Sequence, residues 1–359
     1  MPKSLKITFV SRKWPPAMGG METYAEMLSS RLRDHGEVEV FALPGHADGS
    51  TPRPLELLWF GVKTAFLLLV AGRPASVVHV ADMASWPLAL AARLRCPSAR
   101  RILSANGTDV SFPARGGAAG GLYGAYLKLG ARLLGSVTVV ANSAATASAA
   151  AHYGYRDTVV VPLAAEATLE GEVPEIVKQT ILFSGRLIRL KGCRWFIENV
   201  LPRLPETMVL EVAGTIWDDD EHAALEAPRV RYLGRLDQAA LYRRMAAALC
   251  VIVPNIELEN GEFEGFGLVA VEAAVVGGVV IAAKHGGLQE AVRDGETGFL
   301  VAPGDVGRWV ELITEIADWA PERRTKFTER ARAAAAVYYN WDRVARDTVR
   351  HYAGERAAP

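Results

Sequence analysis

The sequence predicts an α/β protein with two parallel-sheet domains joined by one linker. Three observations carry the prediction. Short β-branched runs alternate with Ala- and Leu-rich helical stretches along the chain, as βαβ units require. The runs are continuously apolar rather than alternating, the pattern of parallel strands covered on both faces. The alternation breaks once, over residues 164–174, and then restarts. A chain of 359 residues fits two or three domains at about 100–200 residues each.

In the first half, strands are expected at 6–10, 38–42, 77–80, 101–104, 137–141 and 159–161. Helices fall between them at 22–34, 55–71, 85–94, 122–134 and 144–153. Residues 164–174 are rich in Ala, Glu and Gly without periodicity, which marks the linker. In the second half, strands are expected at 181–184, 209–213, 230–233, 250–254 and 279–282. Helices follow at 193–203, 222–227, 238–248, 267–276, 288–293 and 305–319. The tail, 323–352, reads as helix with a break at Tyr339-Asn340-Trp341. No internal repeat is visible. In open parallel sheets, ligands bind at the carboxyl ends of the strands.

Half the residues are hydrophobic and 22% are charged, an ordinary globular composition that excludes a disordered regulator or a disulfide-stapled miniprotein. Cys96, Cys193 and Cys250 are far apart, without zinc-site spacing, which suits a reducing compartment. Forty basic residues balance forty acidic ones, so nothing points to nucleic acid. The balance is uneven along the chain. Residues 1–165 hold 17 Lys and Arg against 10 Asp and Glu, and the remainder holds 23 against 30. A basic first half suits an anionic partner such as a phospholipid surface; ordinary surface variation explains it equally well.

No signal peptide is expected. The apolar stretch after Lys3 and Lys6 stops at Ser11-Arg12-Lys13, too short for a signal core. The most apolar window, 55–71, carries Glu56 and Lys63, and falls short of the roughly twenty apolar residues of a membrane span. It reads as a buried or interfacial helix, with a buried crossover helix as the plainer reading.

Three segments carry the chemistry. Gly19-Gly20-Met21-Glu22 opens a helix after the first strand, where a close turn and free amides suit an anion. It is not a dinucleotide fingerprint, and a plain turn explains it too. Ser184-Gly185-Arg186-Leu187, followed by Lys191-Gly192, leaves the carboxyl end of a strand. Arg186 and Lys191 there suit a diphosphate and its stabilisation as a leaving group; the alternative is a solvated basic loop. Glu264-Gly265-Phe266-Gly267-Leu268-Val269-Ala270-Val271-Glu272 is the most specific segment. Two carboxylates flank a glycine turn into an apolar helix. Carboxylates accept hydrogen bonds from vicinal hydroxyls of a sugar or ribose, and the helix start offers amides to an anion. A helix with an N-terminal acid explains Glu264 but not a Glu272 set in an apolar stretch. Downstream, Gly286-Gly287-Leu288-Gln289-Glu290 precedes a helix start, and Asp294-Gly295 reads as a turn before a short strand.

Together these segments resemble the retaining glycosyltransferases of the GT-B fold, in the large family numbered four. The resemblance is strongest over roughly 181–305 and extends over nearly the whole chain, through Val77-Val78-His79-Val80, Asn142-Ser143, Val160-Val161-Pro162 and the helix at Trp341. It implies two Rossmann-like domains facing across a cleft: an acceptor-binding domain, 1–165, completed by a returning C-terminal helix at about 340–359, and a donor-binding domain, 174–339. It implies that Arg186 and Lys191 bind the donor diphosphate and that Glu264 contacts the donor sugar. It further implies that Phe266, Gly267 and Leu268 offer amides, that Glu272 holds the ribose, that Gly19-Gly20 approaches the phosphate, and that Gly234-Arg235-Leu236 lies beside the base.

One departure stands out. Where the family often has His before Gly, this chain has Asn106-Gly107-Thr108-Asp109. Asn106 can bond a sugar hydroxyl but cannot be protonated, which affects any role of Asn106 and Asp109 in the sugar or acceptor site. His79 is a poor substitute, since a histidine ending a buried strand is more often structural. Asp218-Asp219-Asp220 contains the Asp-x-Asp of metal-dependent transferases, but before a short helix it reads as a solvated helix start.

The expectation is therefore a cytoplasmic, metal- and cofactor-independent retaining hexosyltransferase. It would move a sugar from a UDP- or GDP-linked donor to a hydroxyl acceptor in glycan or glycolipid synthesis. A lipid-linked acceptor and contact with an anionic membrane fit the basic first half. The alternatives are a non-catalytic nucleotide-sugar binder and a GT-B nucleotide-sugar epimerase.

Overall fold

The computed structural model describes residues 5–17, 19–46, 50–70, 74–171 and 175–353. The chain forms two compact units. The first comprises the described residues of Met1–Leu163 and Trp341–Pro359, the second those of Ala164–Asn340. The linker expected over 164–174 has no regular structure up to 171; its last three residues lie outside the described ones, as do Lys3, Ala71 and residues 354–359.

The first unit runs β1 (Leu5–Ser11), α1 (Gly20–Leu32), β2 (Gly36–Ala42), α2 (Pro54–Val70), β3 (Val77–Val80), α3 (Trp86–Arg95) and β4 (Arg100–Ala105). It continues with a single turn α4 (Thr108–Ser111), α5 (Gly117–Leu134), β5 (Thr138–Ala141), α6 (Ala144–His152) and β6 (Asp157–Val160). The six strands form one sheet in the order β2-β1-β3-β4-β5-β6. Every pairing is parallel, with Ile7 opposite both Val38 and Val77. The continuous apolar runs have the expected cause: all four residues of β3 and of β5 are buried. Ser143 starts α6 by accepting from the Thr146 amide at 3.2 Å, the ordinary use of a serine N-cap.

The second unit runs β7 (Val177–Ser184), α7 (Cys193–Asn199), β8 (Val209–Ala213), α8 (Asp219–Ala224), β9 (Val230–Gly234), α9 (Gln238–Ala247) and β10 (Ala248–Val253). Then come α10 (Leu268–Val276), β11 (Val280–Ala283), α11 (Leu288–Ala291), the short β12 (Phe299–Val301), α12 (Val306–Ala317) and α13 (Pro321–Tyr338). Its six parallel strands are ordered β12-β11-β10-β7-β8-β9. Aspartates 218, 237 and 305 cap α8, α9 and α12. After α13 the chain breaks at Tyr339-Asn340, and α14 (Trp341–Ala353) returns to the first unit, packing on α1.

Several expectations need correction. The helix expected at 122–134 begins earlier, at Gly117, and the strand expected at 181–184 begins earlier, at Val177. The helix expected over 193–203 stops at Asn199, and Leu201–Arg203 forms one tighter turn around Pro202, because proline has no amide to continue the helix. The helix expected at 222–227 begins three residues earlier, at Asp219, because Asp218 caps it. The crossover helix α2 is not buried. Only Phe60, Thr64 and Leu68 are buried, and Leu55, Leu58, Trp59, Val62, Phe66, Leu69 and Val70 are exposed. Among the described residues, no helix is long and apolar enough to cross a membrane.

Candidate functional site

In each sheet the chain builds outward from its first strand and then returns to that strand's other side. The reversal lies between β1 and β3 in the first unit and between β7 and β10 in the second. The carboxyl ends of such strand pairs splay apart and leave a crevice for ligands.

In the second unit, β7 ends at Ser184 and delivers Gly185-Arg186, while β10 ends at Val253 and delivers Pro254-Asn255. A tight turn over Arg189–Lys191 brings Lys191 back to the crevice. Gly192 ends this turn in the left-handed region, φ 69°, where a Cβ would lie 2.1 Å from the Pro254 carbonyl oxygen. Only glycine fits so close to the β10 loop.

The loop after β10 carries Glu264 to the same place. Lys191 Nζ pairs with Glu264 Oε2, and Asn255 Nδ2 donates to that oxygen at 3.3 Å. Burial by itself pushes the Glu264 carboxyl up. The charge and hydrogen bond of Lys191, with Asn255 and Arg186, outweigh it and hold the group below its usual range. Arg186 is exposed, its guanidinium lying over the Trp217 ring at 5.8 Å. It donates no side-chain hydrogen bond to any described residue.

Glu264 is held from behind by backbone. The Gly287 amide donates to the Glu264 carbonyl at 2.8 Å, and a Cβ on Gly287 would lie 2.1 Å from the Gly265 carbonyl oxygen. The Gly286-Gly287 pair is thus a seat for the Glu264 loop as well as the lead-in to α11. Phe266 and Gly267 are buried, and Gly267, at φ 94°, turns the chain into α10, whose first residue is Leu268. The amides at that helix start have no intrahelical acceptors.

Glu272 lies in α10 among buried Val271, Ala273 and Ala274. It has no hydrogen bond or ion pair among the described residues, and burial raises its carboxyl above the ordinary value. A half-buried carboxylate without a partner carries a desolvation cost that core packing does not explain. Leu236 is half-buried in the loop between β9 and α9.

The first unit has its own cluster at the β1/β3 crevice. Arg12, the first residue after β1, donates from Nε to Asp82 Oδ1 at 2.8 Å, just beyond β3. The Asp82 carboxylate, with its hydrogen bond, raises the guanidinium pKa. Asp109 is buried, accepting the amides of Asn106 at 2.8 Å and Met83 at 3.1 Å. Burial raises its carboxyl to about 6 against these two bonds. Asp109 thus ties the ends of β3 and β4 together. Asn106 Nδ2 donates to the Ala81 carbonyl at 2.9 Å, which leaves its Oδ1 for another donor.

Gly19, extended, precedes α1, which starts at Gly20; the Glu22 carboxylate folds back over Gly19 and pairs with Lys13 at 3.2 Å. His79 is buried between Tyr352 and Ser104, and Ser104 in turn bonds Tyr24 at 2.7 Å. Burial lowers its pKa to about 3. Asp218 accepts the amides of Asp220 and Glu221. Among the described residues no cluster suited to a metal ion is found.

Sequence reading missed Arg12, Asp82, Asn255 and Trp217. The first three leave a signal: each stands one or two residues beyond the carboxyl end of an apolar strand run. Trp217 leaves none, because only the fold brings it to Arg186.

Residues 178–318 match the family of glycosyl transferases group 1. The matched segment contains Arg186, Lys191, Asn255, Glu264 and Glu272. A D-inositol 3-phosphate glycosyltransferase of Nocardioides sp. is 36% identical over 202 residues, 49% of this chain and 42% of that protein. A glycogen synthase of Mycobacterium tuberculosis is 32% identical over 182 residues, 48% of this chain and 42% of that protein. The chain thus spans less than half the length of these curated relatives. The crystal structure of Anabaena Alr3699/HepE in complex with UDP-glucose has a TM-score of 0.72 at 19% identity, over 98% of this chain and 100% of that one. The catalytic domain of starch synthase IV from Arabidopsis thaliana, bound to ADP and acarbose, has a TM-score of 0.74 at 15% identity, over 98% of this chain and 99% of that one. This likeness is one of fold: the two parallel-sheet units have the GT-B fold.

Proposed function

We propose that this protein is a retaining, metal-independent glycosyltransferase that takes a hexose from a nucleoside-diphosphate sugar and gives it to a hydroxyl acceptor. The observation that carries the reading is the Lys191–Glu264 pair, with Asn255, at the β7/β10 crevice of the second unit. Arg186 acts on Glu264 by its charge and has no side-chain hydrogen bond among the described residues, and Glu272, in the helix that follows, has no hydrogen bond or ion pair among them. Relatives named as glycosyltransferases, and a neighbour in fold solved with UDP-glucose, support it.

In this reading the second unit holds the donor. Glu264, kept ionised by Lys191, accepts hydrogen bonds from sugar hydroxyls. Lys191 has two further N–H groups for the diphosphate, and Arg186 adds a bidentate contact. The amides of Phe266, Gly267 and Leu268 add dipoles, and Glu272 accepts from the ribose hydroxyls. The Leu236 loop lies against the base. The C1–phosphate oxygen bond breaks with charge moving onto the diphosphate, where these cations stabilise it. The acceptor oxygen bonds C1 from the same face, and its proton passes to the departing phosphate. The first unit holds the acceptor, with Asn106 Oδ1 and Arg12 as contacts and Asp109 as the brace beneath them. Gly19 and Gly20 lie over a helix start already faced by Glu22, so any phosphate contact there is through backbone alone.

A thermal-shift panel of UDP, GDP, ADP and their sugar conjugates, with and without EDTA, tests this. Ligand that binds only the folded protein raises Tm by mass action. The expected result is a shift with one nucleoside diphosphate, indifferent to EDTA and lost in Glu272→Ala, together with transfer from its sugar conjugate. A shift without turnover of any kind would favour a nucleotide-sugar binder. No shift, or one that needs metal, would overturn the reading.

A further inference from the structure

The helix α2 presents its apolar face outward. Leu58, Trp59, Val62 and Phe66 are 63%, 67%, 56% and 61% exposed, and Leu55 and Val70 extend the row to both ends. At about 100° per residue these six side chains share one arc of roughly 120°. Phe60, Thr64 and Leu68 occupy the opposite side and pack inward. So long a stripe is not the edge of a core. It is a second apolar face, larger than a soluble monomer leaves open without use.

The surroundings are basic. α2 packs on α3, and α3 on α5. Right-handed crossovers put these three on one face of the sheet. Their cations are Lys63, Arg93, Arg95, Lys128 and Arg132, all exposed, against a single acid, Glu56. Leu94 and Leu122 are exposed in the same layer. On the other face, α1 and α14 mix the signs, with Glu22, Glu26, Asp342 and Asp347 among their bases.

We infer that the α2–α3–α5 layer is a docking surface for an anionic phospholipid bilayer. An apolar arc with Trp and Phe at its centre and cations at its border is what an in-plane helix needs at the headgroup boundary. The basic border meets the negative surface potential, and the apolar arc enters the acyl edge. A second copy fits less well, because pairing this face with itself would bring Lys63, Arg93 and Arg95 against their own kind. The inference goes beyond glycosyl transfer and does not depend on it.

Co-sedimentation of the full chain with vesicles tests it, using phosphatidylcholine alone or mixed with phosphatidylglycerol. The wild type is expected to bind the mixed vesicles and to lose about tenfold in partition when salt is raised to roughly 0.5 M. The double variant Trp59→Ser/Phe66→Ser should lose tenfold or more on the order of its removed apolar contact, with an unchanged Tm. Lys63→Glu/Arg95→Glu should lose binding to the mixed vesicles with the same Tm. Wild-type protein left in the supernatant would overturn the inference. So would equal binding by Trp59→Ser/Phe66→Ser, or a wild-type dimer that this variant dissociates without any vesicle binding. Vesicle binding is read without donor or turnover, so failure here leaves the transfer reading untouched, and the reverse holds.

Discussion

Lys191 and Glu264 lie 73 residues apart in sequence and form one ion pair at the carboxyl edge of the second sheet. Each side chain keeps 17% of its surface in solvent, so the pair is shielded yet reachable. It joins a short turn after β7 to the loop that leads into α10, and it gives both residues a reason to be fixed before any ligand arrives.

Lys191→Ala is expected to lower kcat by about 100- to 1000-fold, the usual effect of removing one donor from a developing oxyanion. The stability loss should stay near ~1–3 kcal/mol, the desolvation left on an unpaired polar group. The Glu264 carboxyl is depressed in the folded protein, so its stabilisation is complete above the ordinary value of 4.5 and is lost as pH falls through the lower folded value. Denaturant melts across that acid range should show the dependence in the wild type and not in Lys191→Ala. Unchanged turnover in the variant would remove Lys191 from leaving-group stabilisation.

Glu272 should behave in the opposite sense. Its carboxyl is raised by burial, so ionising it disfavours the folded state, and the penalty grows as pH rises above the ordinary 4.5. Glu272→Gln is therefore expected to raise Tm at about pH 7–8, by roughly 2–4 °C for each ~1 kcal/mol relieved, and to leave it unchanged in acid. The same variant should lose the nucleotide-induced shift. A variant less stable than wild type at neutral pH would show that Glu272 has a structural partner after all.

Gly287→Ala tests the seat of the Glu264 loop. Its Cβ would meet the Gly265 carbonyl oxygen at 2.1 Å, an overlap that backbone must relieve at a cost of ~1–3 kcal/mol. Turnover should fall with it, since the displaced atoms belong to the residue after Glu264. Gly307→Ala is the control: its nearest neighbour would be 3.7 Å away, inside α12, and the change should stabilise by about 0.5–1 kcal/mol.

His79 links α14 to the first sheet through Tyr352 and Ser104. Its folded pKa of about 3 lies below the ordinary 6.5. Above 6.5 both states are neutral and nothing is lost. Below it the unfolded chain takes up a proton that the folded one refuses, so stability falls as pH drops from 6.5 toward 3. His79→Gln should flatten that fall in a pH series of thermal melts, while lowering Tm at neutral pH through imperfect hydrogen bonding of Ser104 and Tyr352. An equally steep fall in the variant would assign the acid sensitivity elsewhere.

The fold was legible because its signals are local. Strands buried on both faces must be continuously apolar, so Val77–Val80 and Val209–Ala213 could be read to the residue. Helix starts announced by Asp237 and Asp305 fell close to the expected places. Errors came where a local rule was overlooked, as with Pro202 inside α7's expected range, or where exposure is decided by neighbours. The apolar run of α2 reads the same whether its stripe faces the sheet or the solvent.

The sequence by itself determined two Rossmann-like units and the residue types their strand ends present: Arg186, Lys191, Glu264 and Glu272 among them. Tertiary structure alone decided which of these meet. Strand order brings β7 beside β10, and so Lys191 to Glu264 and Asn255; it brings β1 beside β3, and so Arg12 to Asp82. Pairings of that kind have no periodicity to read, because they depend on the path of the backbone between distant segments. Whether an apolar face is covered is equally a property of the assembled layers, which is why the outward stripe of α2 emerged only from the fold.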